Sequence, residues 1–134
     1  MRLWHQSLIQ YLPTQQLTGQ HRECCALRGL GWLKPHSTIN YIFNYKPEHL
    51  FAYHKLIMQE MENRGYMIDP LWKDPKYRGK KAIPYQTITK INIQCPIYKE
   101  HNKDYLKECL LNLKVKGINL KEMIKNGQRR KEQI

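Results

Sequence analysis

The sequence has few acidic residues for its size: 11 Asp and Glu residues stand against 23 Lys and Arg residues, a formal net charge of +12. Such an excess of cations favours a polyanionic partner, and nucleic acid is the first candidate. An anionic membrane surface is the alternative, but no apolar run approaches the roughly 18 residues of a membrane span, and no signal-peptide pattern opens the chain. We therefore expect no membrane partner. The expected location is the cytoplasm of a bacterium or phage-infected cell, and a nuclear location is the alternative.

The sequence also lacks the usual signatures of metal, nucleotide and hydrolase sites. Of its four cysteines, Cys24 and Cys25 are adjacent and do not have the C-x2-C spacing of a zinc knuckle, so we expect buried thiols in a reducing compartment. There is no Gly-rich phosphate loop, no internal repeat and no Ser/His/Asp arrangement that spacing would suggest. We therefore predict that the protein needs neither a metal nor a cofactor.

The hydrophobic pattern predicts one all-α domain over residues 1–134, because a chain of this length supports a single core. Proline and glycine signals delimit a helix from about Pro13 to Leu27 and a core helix from Pro47 to about Asn63. A further helix is expected from residue 102 or 103 to Lys116, and a shorter one from Asn119 to Lys125. Residues 127–134 should form a basic, flexible tail that adds non-specific affinity for DNA.

The first predicted helix carries one carboxylate among basic and amide side chains. Gln16, Gln20, Glu23 and Leu27 share a stripe at i, i+3 and i, i+4 spacing, with Arg22 beside the acid. An isolated Arg-Glu pair on a helix is usually a solvated pair of charges. Here the helix lies a short way along the chain from a free α-amine, so the acid and the amine together form a candidate reactive group.

Four short motifs stand out in the first two thirds of the chain: Gln15, Leu17, Arg22 and Glu23; His36-Ser37-Thr38 before an aromatic run; Asn63-Arg64-Gly65-Tyr66; and Tyr77-Arg78-Gly79 with Ile83-Pro84. In this order they resemble motifs of the pyrimidine-dimer DNA glycosylases, the phage-type endonuclease V family, over roughly residues 1–94. The resemblance implies three principal helices with long connecting loops, the last of them over residues 87–93, and leaves the helix near residues 102–116 as an extra C-terminal one. The β-branched residues of segment 87–93 favour a strand, but a lone strand would have no partner, so we predict a helix there.

The resemblance implies a DNA glycosylase with apurinic/apyrimidinic (AP) lyase activity. In this family the N-terminal α-amine attacks the sugar C1′, forms an imine and cuts the strand by β-elimination, assisted by a carboxylate on the first helix. At the matching positions the amine belongs to Met1, the neighbouring cation is Arg2 and the carboxylate is Glu23. An α-amine suits this role because its reference pKa is near 8, against about 10.4 for lysine. We expect Met1 to be retained, since Arg2 is too bulky for the usual removal.

The expected partner is damaged double-stranded DNA, bound by a monomer. The residues predicted to contact it are Arg2, Gln15, Gln16, His21, Arg22, Arg28, Arg78, Lys80 and Lys81, with His5 and His36 as secondary candidates. Three departures from the family pattern affect this set: Gln16 replaces a histidine, His21 replaces a tyrosine, and Ala26 replaces a basic residue, so Arg28 would take over phosphate contact. The loop over residues 69–84 interleaves cations with aromatic rings, which suits a phosphate-tracking surface, although a solvated basic loop is an equal alternative.

The composition is also compatible with two other functions. A basic nucleic-acid-binding protein could keep the fold and the charge without the chemistry. A nuclease that uses a metal-activated water would need paired carboxylates, and Glu23 has no evident partner in the sequence.

Overall fold

The computed structural model describes residues 2–29 and 38–120. The described residues contain three α-helices, which we name α1 (Thr14–Arg28), α2 (Pro47–Asn63) and α3 (Lys103–Val115), and 3-10 helices at Gln6–Tyr11, Asn40–Asn44 and Pro70–Lys73. No strand occurs among them, so the prediction of an all-α fold is confirmed. Met1, His36 and the predicted tail at residues 127–134 lie outside the described residues.

Helices α1 and α2 begin and end within one residue of the predicted positions. Pro13 precedes α1, and the N–H of Gly29 closes its last turn by donating to the carbonyl oxygens of Cys25 at 3.1 Å and Ala26 at 3.2 Å. Pro47 opens α2, where its missing N–H would have no partner within the helix. Gly65 follows α2 with a φ of 93°, a left-handed conformation that glycine adopts without strain. Proline and glycine thus fix both helices from local sequence.

The helix predicted over residues 87–93 is wrong, because the structure gives this segment no regular secondary structure. Its β-branched threonines and isoleucines lose rotamer freedom against the preceding turn of a helix, and residues 2–29 and 38–120 contain no strand with which it could pair. The third principal helix is instead α3. The Asn102 side chain caps it by accepting a hydrogen bond from the Tyr105 N–H at 2.9 Å, and Gly117 follows it with a φ of 87°.

The core lies between α1 and α2 and also takes in the N-terminal segment and α3. Each of these parts contributes fully buried side chains, and so do the segments around residues 39, 98 and 120; among them are Leu3, Leu8, Leu12, Leu17, Ile39, Tyr53, Ile57, Tyr98, Leu113 and Leu120. Burying a leucine side chain contributes about 1.5–3 kcal/mol, so three leucines in the first twelve residues anchor the start of the chain firmly. In the part of the chain that the structure describes, no helix is long and apolar enough to cross a membrane.

Candidate active site

The side chain of Gln20 joins the N-terminal segment to α1 and α2. Its Oε1 accepts a hydrogen bond from the backbone N–H of Trp4 at 2.7 Å and, at 3.0 Å, shares the single hydrogen of the Tyr53 hydroxyl with the carbonyl oxygen of Trp4. Its Nε2 donates to the carbonyl oxygen of Arg2 at 3.1 Å and to Oε2 of Glu23 at 2.8 Å. The residue is 1% exposed and uses both of its acceptor lone pairs and both of its donor hydrogens. One buried amide therefore holds the start of the described chain beside the carboxylate of Glu23.

Helix α3 holds the same segment. The hydroxyl of Tyr105 donates to the carbonyl oxygen of Leu3, and the guanidinium of Arg2 pairs with the Glu108 carboxylate at 3.3 Å. These contacts restrain the backbone on both sides of the Leu3 amide. Helix α3 lies beyond the motifs on which the family resemblance depends, yet it forms part of the site.

Burial raises the pKa of the Glu23 carboxyl group above its ordinary value. The positive charges of Lys116 and Arg22 oppose this shift, because they favour the ionised form. The ammonium group of Lys116 is held in the neighbourhood by a cation–π contact with Trp4, 5.2 Å from the ring centroid. A carboxyl group whose pKa is raised in this way can accept and release a proton nearer to neutral pH than a solvated glutamate.

Gln20, Tyr105 and Lys116 were not predicted as site residues from the sequence. Gln20 had a usable signal, since it shares a helical stripe with Glu23. Tyr105 and Lys116 follow Glu23 by most of the chain's length, and no local pattern connects them. Only the packing of α3 against the N-terminal segment brings them together.

The residues predicted to bind DNA fall into an exposed set and an internal set. Exposed side chains are those of Gln15, Arg22, Lys80 and Lys81, while Arg2, Gln16 and His21 are half-buried. On α1, Gln15 and Arg22 lie on the side away from the core, where a ligand as large as a duplex can reach them.

Arg28, which was predicted to contact phosphate, is buried beneath the loop that follows α2. Its Nη1 donates to the carbonyl oxygen of Trp72 at 2.8 Å and to Nδ1 of His54 at 3.0 Å, and its Nη2 donates to the carbonyl oxygens of Asp74 at 2.7 Å and Tyr77 at 3.0 Å. The residue is 5% exposed. A guanidinium enclosed in this way fixes the loop onto α1, and the prediction that it contacts DNA has no support in this conformation.

Arg78 and His5 also find their partners inside the protein. The Arg78 guanidinium donates to two carbonyl oxygens at the end of α1, each at 3.1 Å. His5 is 9% exposed, stacks on His101 with ring centroids 5.4 Å apart, and accepts a hydrogen bond from the Ser7 N–H at the start of the first 3-10 helix. Both side chains support the fold. The roles predicted for Met1 and His36 stay predictions, because these residues lie outside the described part of the chain.

Within the described residues, His21, Cys25 and His54 form the group whose composition suits a metal, with ligand atoms within 4.8 Å of one another. Burial raises the pKa of the Cys25 thiol to about 11, so this group is protonated at neutral pH. Nδ1 of His54, on the side of the ring away from this group, accepts a hydrogen bond from Arg28.

Fold and site together define a small, basic, all-helical domain in which a half-buried acid is held against the N-terminal segment. The family model of the pyrimidine dimer DNA glycosylases matches residues 1–74. Because this match covers more than half of the 134 residues, the chain belongs to the pyrimidine dimer DNA glycosylase family, as the sequence motifs predicted. Membership implies a DNA repair enzyme of the glycosylase class, with DNA as its substrate. No curated protein and no solved structure matches the chain.

Proposed function

We propose that this protein is a DNA glycosylase and AP lyase in which the α-amine of Met1 is the nucleophile and Glu23 is the acid–base group. The observation that carries the proposal is the Gln20 bridge, whose Nε2 lies 3.1 Å from the carbonyl oxygen of Arg2 and 2.8 Å from the carboxylate of Glu23. Consecutive Cα atoms are only about 3.8 Å apart, so an amine on residue 1, next to Arg2 in the chain, would lie close to the carboxylate of Glu23.

The proposed reaction needs a neutral amine and a carboxyl group that can exchange protons. The amine nitrogen bonds to C1′ while the bond from C1′ to the damaged base breaks, and the departing base takes up a proton. Opening of the sugar ring leaves a protonated imine; loss of a C2′ proton then expels the 3′ phosphate by β-elimination. Glu23 would stabilise the positive charge on the sugar and carry the protons, a role that its raised pKa supports.

The proposed DNA surface is the outer side of α1 together with the loop that follows α2. It comprises the exposed side chains of Gln15, Arg22, Lys80 and Lys81. Arg28 and Arg78 are left out, because their guanidinium groups are used within the protein. We expect damaged duplex DNA to be the preferred ligand, since unstacking a nucleotide costs least where a lesion already weakens the stack.

Borohydride trapping on a duplex with a single abasic site tests the proposal. In the presence of a chelator we expect strand cleavage and a reduced covalent adduct, and peptide mapping should place the adduct on residue 1. Lys116 also carries an amine whose charge acts on Glu23, so it is an alternative nucleophile. The Lys116→Met variant removes this amine, and the adduct should still form. An adduct on a lysine would contradict the proposed nucleophile, and binding without adduct or cleavage would instead identify a non-catalytic DNA-binding protein.

The Glu23→Gln variant tests the second half of the mechanism. We expect it to bind the abasic duplex with normal affinity and to cleave it at least roughly 100-fold more slowly, as loss of an acid–base group predicts. Near-normal turnover would remove Glu23 from the mechanism.

A further inference from the structure

A chain of hydrogen bonds crosses from the loop after α2 to the surface of α1. Nη1 of Arg28 lies 3.0 Å from Nδ1 of His54, and Nε2 of His54 lies 2.8 Å from Nδ1 of His21. The Sγ atom of Cys25 lies 3.8 to 3.9 Å from ring nitrogens of both histidines. His54 is fully buried, whereas His21 is half-buried on the flank of α1 that faces α2.

The direction of these hydrogen bonds follows from the arginine. A guanidinium has only donors, so Nδ1 of His54 must accept and carries no hydrogen. A neutral imidazole has a single N–H, which therefore sits on Nε2 of His54 and donates to Nδ1 of His21. The hydrogen of a neutral His21 is then on its own Nε2. Burial, the charge of Arg28 and the neighbouring His21 lower the pKa of His54 to about 2, which keeps this ring neutral.

His21 is neutral for related reasons. Burial lowers its pKa, and the positive charges of Arg22 and Arg28 lower it further. The remaining group against the ring, the Cys25 thiol, is protonated at neutral pH because burial raises its pKa to about 11. The carboxylate of Asp69 acts on the Cys25 thiol, whereas the pKa of His21 is shifted by burial and by the two arginines.

The same polarity argues against a metal at His21, Cys25 and His54. A metal on Nε2 of His54 would displace the hydrogen to Nδ1, where two donors would face each other across 3.0 Å. Arg28 cannot easily turn away, because it also donates to the carbonyl oxygens of Trp72 and Asp74. Metal-bound histidines normally donate their second N–H to a carboxylate or carbonyl oxygen, and here that place is taken by a cation.

We propose that Arg28 and His54 fix His21 as a neutral hydrogen-bond donor, whose Nε2–H contacts a phosphate oxygen of the bound DNA strand. The contact rests on the proposed function, in which the outer side of α1 faces DNA. Cys25 does not occupy this donor, since Sγ is almost equally far from both ring nitrogens and so is not aligned with the Nε2–H bond.

The position of His21 on α1 indicates which phosphate it contacts. Two residues along an α-helix correspond to a turn of about 200°, so His21 and Glu23 lie on opposite flanks of the helix with exposed Arg22 between them. A helix with its side chains is about 10–12 Å wide. His21 therefore contacts a phosphate away from the reacting sugar and acts in positioning the strand, not in the chemical step.

Nuclear magnetic resonance of the ¹⁵N-labelled full chain tests the protonation pattern without reference to activity. We expect both His21 and His54 to carry their hydrogen on Nε2 from about pH 7 to about pH 8. Addition of one equivalent of Zn²⁺ should leave both rings unchanged. An imidazolium at His21 over this pH range, a hydrogen on Nδ1 of either ring, or a stoichiometric zinc shift would overturn the proposal.

Two substitutions test the contact with DNA. His21→Phe keeps the ring and loses the donor, and we expect it to weaken binding of an abasic duplex roughly tenfold. His21→Gln keeps an N–H donor near the position of Nε2 and should bind within about threefold of the unchanged protein. Circular dichroism should show that both variants remain folded.

Salt dependence separates a neutral donor from a charged one. Because no counterion is released, His21→Phe should leave the slope of log affinity against log salt unchanged, whereas Arg22→Ala should reduce it by about one. Unchanged affinity in His21→Phe, or a slope reduced by about one, would overturn the contact. A protein that binds duplex through His21 but forms no borohydride adduct would contradict the proposed chemistry alone.

Discussion

Replacing Gln20 by methionine tests whether the buried amide sets the position of the chain start. Methionine has a similar length and volume, so the packing is largely kept while all four hydrogen bonds are lost. The Tyr53 hydroxyl retains the carbonyl oxygen of Trp4 as an acceptor at 2.6 Å, and the half-buried Glu23 carboxylate can turn to water. The N–H of Trp4 and the carbonyl oxygen of Arg2 lose the partner that Gln20 supplies.

These two groups set the size of the effect. A buried backbone group left without a partner costs about 1–3 kcal/mol, and the half-buried carbonyl should recover part of this from water, so we expect Gln20→Met to lower the free energy of unfolding by about 2–4 kcal/mol. The loss of activity should exceed what unfolding explains. In the proposed mechanism, the backbone next to the α-amine and the carboxylate of Glu23 would lose their common anchor, and a misplacement of about 1 Å can cost roughly 100-fold in rate.

Urea unfolding and single-turnover cleavage of an abasic duplex measure the two effects, the second at a temperature at which both proteins are folded. Gln59→Met makes the same exchange at an exposed position of α2 and should change neither quantity. A Gln20→Met protein within about 0.5 kcal/mol of the unchanged one, with the same single-turnover rate, would show that this amide does not position the site.

Three further variants test the assignments of charged residues. Glu23→Gln can still accept the hydrogen bond from Gln20 and removes a carboxylate whose pKa is raised by burial, so its free energy of unfolding at neutral pH should be no lower than that of the unchanged protein. Because a raised pKa means that the folded state binds the proton more tightly, the unchanged protein should gain stability relative to this variant as the pH falls from the raised pKa to the ordinary one, which urea titrations at several pH values would show. Arg28→Met leaves three carbonyl oxygens without their charged donor, and we expect a loss of roughly 3 kcal/mol or more with faster hydrogen exchange in the loop after α2. Arg22→Ala should leave stability unchanged in thermal unfolding but lower the affinity for duplex DNA, whereas Lys55→Ala, at an exposed position of α2, should have a smaller effect.

Helices α1 and α2 could be predicted because proline and glycine residues at their ends determine where they begin and end. Pro47 and Gly65 act on the backbone wherever the rest of the chain lies, and they delimit α2 in the sequence and in the structure alike. Residues 87–93 had no such signals. Their β-branched side chains do argue against a helix. The sequence alone could not show that the segment forms neither a helix nor a strand.

The roles of individual cations could not be predicted from the sequence, because composition does not show which cations are enclosed. Arg22 and Arg28 are two of many basic residues in the chain, and both were predicted to contact DNA. What separates them is the loop containing Trp72 and Asp74, which folds over Arg28 and supplies its carbonyl acceptors. That contact spans more than forty residues, as shown by sequence separations of 44 and 46. A local pattern cannot contain it.

The N-terminal segment departs from the usual behaviour of a chain end, and the proposed chemistry accounts for this. Terminal residues are generally poorly ordered unless packing ties them down. Here Leu3 is fully buried, its carbonyl oxygen accepts from Tyr105, and the carbonyl oxygen of the preceding residue accepts from Gln20. A lysine nucleophile would be carried on a flexible four-carbon stem, whereas an α-amine depends on the order of the backbone beside it. Because Tyr105 lies outside the matched residues 1–74, the family-specific part of the chain and α3 must act together to provide that order.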